Sequence, residues 1–359
     1  MTAGAKLKLA VAWSGLPWYA ARLIRRGLER VGADAEVLGT RPKVPMSGME
    51  QILGRPICWL EKHRLYRWQD LNLPVPDLFI HTGWNIPCFN SLAEEVRAHD
   101  GKVVGMIDNN YQGTLRQYVG ALVFRLSLRR RFWQVWVPGR AGRKLLRFLG
   151  MPGDLIREGL YGADPALLHL GPPLEEREME MLFVGQLIPR KGIATLLEAF
   201  AAGGFAARGW TLRIIGEGPE RSSAEGRPGV QLQGFLPEAE VAAAMRHARV
   251  LILPSHEEHW GMVLAEAALA GCALVSSHAV GAAADLIDER NGLVFVAGEA
   301  RQLGAALEAF AAWPPDRLRE ARAASRSLGE EFGPEKWAGE LKVIVNEMPR
   351  RWASGQLFR

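Results

Sequence analysis

What most constrains this chain is a repeated unit: a short apolar run, a turn, then a stretch with helical spacing. The opening run Leu7–Trp13 reads as a buried strand, Ser14-Gly15-Leu16-Pro17 as the turn, and Trp18 to Val31 as the helix. Further apolar runs at Leu78 to His81 and Lys102 to Ile107 continue the alternation expected of a parallel sheet covered on both faces. Gly171 to Glu178 has the proline and charge content of an exposed connector. Beyond it the pattern restarts, with strands predicted at Glu180 to Val184, Thr211 to Ile215, Val230 to Gln233, Val250 to Leu253 and Ala273 to Ser276. The fold class is therefore α/β with two Rossmann-like domains, residues 1–171 and 172–333, and a C-terminal helix and tail, 334–359, that packs back on the first domain. A chain of 359 residues is long enough for two cores.

Composition narrows the class of partner. The sequence offers no signal peptide and no stretch of about 18 uncharged apolar residues. Its three cysteines, Cys58, Cys88 and Cys272, are odd in number and far apart, which speaks against a disulfide framework and for a reducing, cytoplasmic setting. The net charge of +5 divides unevenly: residues 1–174 carry +10 and the remainder −5. The first half is built to face something anionic.

Four loops in the second half fall in order, each at the carboxyl end of a predicted strand, where open α/β sheets bind ligands. Gly185-Gln186-Leu187-Ile188-Pro189-Arg190-Lys191-Gly192 carries two cations suited to phosphate oxygens. Gly216-Glu217-Gly218 supplies glycines for a tight turn and close backbone approach. Pro254 to Gly261 leads into a helix starting at Met262 and Val263; Glu258 stands on the loop and Glu266 on the helix. Ala279-Val280-Gly281-Ala282-Ala283 is a small-residue turn into another helix. Taken singly, each has a plain structural reading: Gly-x-Gly is a turn, Arg190-Lys191 a solvated pair. A Glu inside the apolar helix Met262 to Ala270 is costly to bury without a partner, and the ordered set points to a nucleotide diphosphate.

These motifs resemble the donor domain of the retaining family 4 glycosyltransferases, which have the GT-B architecture, and the likeness covers Met181 to Phe295. In that family a Glu, seven residues and a second Glu frame the lead into a helix; Glu258-His259-Trp260-Gly261 with Glu266 fits. The resemblance implies two domains facing each other across a donor/acceptor cleft. It implies that Glu258 contacts donor-sugar hydroxyls, that Glu266 accepts from the ribose, and that Lys191 grips the diphosphate. Gly185, Gln186, Arg190, Gly216, Gly218, Trp260, Gly261, Met262 and Val263 line the same donor site, and Gly15 the facing loop of the first domain. Gln186 stands where the family commonly has Arg and cannot neutralise phosphate, so either Arg190 supplies the second charge or the loop binds more weakly than usual. Relatives often place a His near the reactive carbon; here Asp108 is the nearest polar residue, an acceptor-orienting catalytic candidate against the plainer reading of a turn residue.

Lys191, Arg190 and helix-start N–H groups can meet the leaving group's charge, and no Asp-x-Asp or His ligand spacing appears, so no metal and no cofactor beyond the nucleotide-sugar co-substrate is expected. From Gly113 to Phe148 there are nine basic residues, among them Arg125, Arg129, Arg130 and Arg131, and no Asp or Glu. Leu122, Phe124, Leu126, Leu128, Phe132, Trp133 and Trp136 interleave with them, a composition suited to an anionic membrane surface ahead of nucleic acid. The expected activity is retaining, metal-independent sugar transfer to a lipid-linked or cell-envelope glycan, peripheral on the inner membrane face. A sugar-nucleotide epimerase or hydrolase of the same fold, and a non-catalytic binding module, are the alternatives.

Overall fold

The computed structural model describes residues 7–42 and 48–349; the basic aromatic tail lies beyond them. In chain order the first part runs β1 (Leu9–Trp13), α1 (Trp18–Val31), β2 (Ala35–Thr40), α2 (Met49–Leu53), β3 (Cys58–Leu60), β4 (Leu78–Thr82), α3 (Pro87–Ala98), β5 (Lys102–Met106), α4 (Leu115–Val123), β6 (Gln134–Trp136), α5 (Arg140–Phe148) and β7 (Ile156–Arg157). The second runs β8 (Glu180–Val184), α6 (Ile193–Ala202), β9 (Thr211–Ile215), α7 (Arg221–Ala224), β10 (Val230–Gln233), α8 (Glu238–His247), β11 (Val250–Leu253), α9 (Met262–Leu269), β12 (Ala273–Ser277), α10 (Ala283–Leu286), β13 (Gly292–Phe295), α11 (Ala300–Ala311) and α12 (Pro315–Glu330). A last helix, α13, spans Pro334–Glu347.

Two parallel sheets result, ordered β3-β2-β1-β4-β5-β6-β7 and β10-β9-β8-β11-β12-β13. Each reverses direction once, between β1 and β4 and between β8 and β11, and these switch points are where the strand-end loops splay apart to form a crevice. β13, only four residues long, is not among the strands predicted from the sequence.

The units divide differently from the expected 171/172 boundary. One comprises 1–138, 142–160 and 334–359; the other 139–141 and 161–333. The connector is anchored as well as exposed: Pro172, Glu176 and Glu178 face solvent, while Leu174 and Arg177 are buried and the Arg177 guanidinium donates to Pro172 O at 3.0 Å, Ala248 O at 2.8 Å and Ala270 O at 2.8 Å. The carbonyls that follow α8 and α9 lack helical donors, and one buried cation supplies them, which ties the segment into the second unit. In the first unit α13 lies on α1. Gly27 gives the room: a Cβ there would meet the Trp337 ring at 2.2 Å, and Trp337 stacks on Trp136 at 4.8 Å. Glu335 pairs with Arg26 and Arg30 at 2.5 and 2.9 Å, exposed contacts that solvent screens.

His81 on β4 is fully buried between Phe79 and Phe132, and its Nε2 has no hydrogen-bond partner. Burial pushes its pKa down to about 4 from 6.5. The unfolded chain therefore binds this proton first, and the folded state loses stability as pH falls from 6.5 towards 4, by about 3 kcal/mol in full and about 2 kcal/mol by pH 5. Denaturant titrations at pH 7.5 and 5 should show this loss for the wild type and a smaller one for His81→Leu. An equal loss in both would mean that His81 is not its source.

Candidate active site

The site grows from the β8/β11 switch point. After β8 the chain turns through Gly185; Ile188 to Lys191 form one tight turn that closes at Gly192, with φ of +71°. A Cβ at Gly192 would lie 2.2 Å from Pro254 O, so glycine alone lets the cationic loop sit against the loop after β11. The His256 N–H donates to Arg190 O at 2.8 Å and fastens the two loops. The second glycine loop has a further role. A Cβ at Gly216 would fall 1.8 Å from Gly185 O and one at Gly218 2.3 Å from Leu187 O, so these glycines also let two protein loops lie back to back. The Leu187 N–H donates to Glu217 O at 2.8 Å across the same seam.

The loop after β11 decides which acid faces inward. Glu258 forms an isolated parallel bridge with Val280, and the Gly281 N–H donates to Glu258 O at 3.1 Å. This holds the Glu258 side chain 15% exposed, in contact with the Lys191 ammonium, itself 13% exposed. Arg190 approaches the same carboxylate at 3.6 Å and donates to Glu257 O at 3.1 Å. Glu257 points out, 52% exposed, beside His259. Gly261, with φ of +98°, starts α9, whose Met262, Val263 and Glu266 are half-buried on one open face while Leu264, Ala265, Ala267 and Ala268 pack inward. The helix thus lifts Glu266 out of the core at the i+4 position from Met262.

Trp260, expected to line the donor site, instead has its ring buried 5.2 Å from Phe332; only its backbone reaches the loop, where the Ala282 N–H donates to Trp260 O at 2.9 Å. An indole this large gains more from core burial than from a loop surface. Gln186 is exposed. Gly15, with φ of +60°, and Asp108 sit in the first unit, after β1 and β5; the Gly15 N–H donates to Thr40 Oγ1 at 2.9 Å, and Asp108 is half-buried. The sequence reading missed His256, whose backbone fastens the loops, and Asp285, which accepts from the Arg140 N–H at 3.1 Å; neither has a motif. Among the described residues no group of three or more His, Cys, Asp or Glu is assembled that could hold a metal ion.

Two Rossmann-like parallel-sheet units, the second carrying a paired Lys and Glu at its switch point, define the class as GT-B. Residues 171–326 match the model of the family described as glycosyl transferases group 1. A 2-deoxystreptamine glucosyltransferase from Streptomyces kanamyceticus is 32% identical over 165 residues, 44% of this chain and 42% of that one. A glycogen synthase from Mycobacterium tuberculosis is 31% identical over 160 residues, 43% and 39% of the two chains. The chain thus spans less than half the length of these curated relatives. Among solved structures, Anabaena HepE in complex with UDP and glucose superposes with a TM-score of 0.71 at 16% identity, over 96% of this chain and 100% of that one. A sucrose-phosphate synthase from Thermosynechococcus elongatus gives 0.70 at 17% identity, over 95% and 99%.

Proposed function

We propose that this protein is a glycosyltransferase that moves a sugar from a nucleoside-diphosphate sugar to an acceptor with retention of configuration and without a metal. The observation that carries the reading is the Lys191–Glu258 pair, with Arg190 beside it and Glu266 on the open face of α9. Bond cleavage adds a negative charge to the departing diphosphate, the second on its terminal phosphate. In this reading Lys191 and Arg190 meet that charge, and cations held beforehand by a tight loop stabilise it with little reorganisation. Glu266 offers a carboxylate acceptor to a ribose, and Glu258 one to sugar hydroxyls. The basic first half, at +10, suits an anionic, lipid-linked or cell-envelope acceptor at the cytoplasmic face of a membrane.

Titration calorimetry with UDP tests the donor grip. Glu266→Ala should weaken UDP by at least about tenfold, the loss of a charge-assisted hydrogen-bond acceptor; unchanged binding would remove Glu266 from the site. Turnover of a UDP-, GDP- or ADP-sugar only when acceptor is present, unaffected by EDTA, separates a metal-independent transferase from an epimerase or hydrolase, which would act on the donor alone.

A further inference from the structure

Amphipathic helices of folded domains turn their apolar stripe to the core. The α4 helix does the reverse. Leu115, Tyr118, Val119 and Leu122 follow the i, i+3, i+4, i+7 spacing of one face, and with Val123 and Leu126 they are 50% to 79% exposed. Ala121 and Phe124 on the opposite side are buried. A π-turn over Phe124–Leu128 and a tight turn over Arg129–Arg131 follow, which place the exposed Arg125, Arg129 and Arg130 at one end of the stripe. Arg131 and Trp133 are half-buried, and Phe124, Phe132 and Trp136 lie in the core, so most of the aromatic side chains expected to interleave with these cations are not on the surface.

We propose that this outward face of α4 is a docking surface for an anionic lipid bilayer, on which the helix lies with its leucines below the headgroups and its arginines among the phosphates. The charge pattern selects this occupant: between Asp108 and Asp154 the sequence contains no acidic residue. A second copy docking through the same patch would bring like-charged arginines together across a two-fold contact. Apolar area and anionic-lipid attraction act together in such helices.

The test is co-sedimentation of the full chain with vesicles of phosphatidylcholine alone and of a 3:1 mixture with phosphatidylglycerol, without nucleotide sugar, so that its outcome is independent of the proposed chemistry. The chain should pellet with the mixed vesicles and be released by about 0.5 M salt, where the screening length falls to a few Å. Leu122→Ser/Leu126→Ser should lower partitioning at least about tenfold. Arg129→Gln/Arg130→Gln should lower it about fivefold per cation, from about 1 kcal/mol each near the headgroups. These positions are exposed, and an unchanged unfolding midpoint confirms that each variant is folded. Absence of pelleting with mixed vesicles, equal pelleting of the leucine variant, or a dimer that this variant dissolves would each overturn the proposal.

Discussion

Lys191→Ala is expected to lower kcat/KM by about three orders of magnitude and to weaken UDP, while the fold persists. The side chain is 13% exposed and touches the Glu258 carboxylate, so the substitution has two consequences. It takes away the cation poised for the leaving diphosphate; losing one such preorganised group typically costs about 10²–10³ in turnover. It also takes from the Glu258 carboxylate the cation in contact with it, leaving Arg190 at 3.6 Å, which adds a repulsion towards phosphate. Lys191→Arg keeps the charge and should recover part of the loss, although the planar guanidinium cannot reproduce a point contact in so tight a turn. Steady-state kinetics with any accepted donor measures this, and a Lys191→Ala enzyme within threefold of wild type would show that the loop cation is not part of the chemistry.

Glu258→Gln is expected to split binding from turnover. The Glu258 carboxylate is in contact with Lys191 and lies 3.6 Å from Arg190, so a diphosphate gripped by these cations must compete with it for both. An amide keeps the shape and a hydrogen-bond acceptor but not the charge. Two like charges about 6 Å apart repel by about 2–3 kcal/mol at an effective dielectric of about 20, less after screening. UDP should therefore bind about three- to tenfold more tightly to the variant, while kcat falls about a hundredfold because the sugar loses its charged acceptor. Calorimetry with UDP reads the first effect and single-turnover kinetics the second. Weaker UDP binding by the Gln variant would mean that Glu258 holds the loop in place rather than competing with the ligand.

The positions of the four loops were legible because each lies at the carboxyl end of a short, mainly apolar strand of four or five residues. Glu266 was legible because a charge in an apolar helix is anomalous within its own sequence window. Trp260, the anchoring of the connector at 171–178 and the role of Gly216 were not. Whether an indole points to a loop or a core, and what fills the space beside a glycine, depends on residues far along the chain: Phe332 for Trp260, Gly185 for Gly216, and the ends of α8 and α9 for Arg177.

The same division runs through the whole molecule. Period, punctuation and charge are local, and by themselves they determined two parallel α/β units, the order of the four loops and the register of Glu266. Only the tertiary structure decided which of two adjacent acids turns inward, because the Val280 bridge that orients Glu258 comes from a strand-end 22 residues away in the chain and is invisible in any short window. It also decided that the apolar stripe of α4 faces out. A helical period shows that a helix has two sides, and packing alone says which one meets solvent.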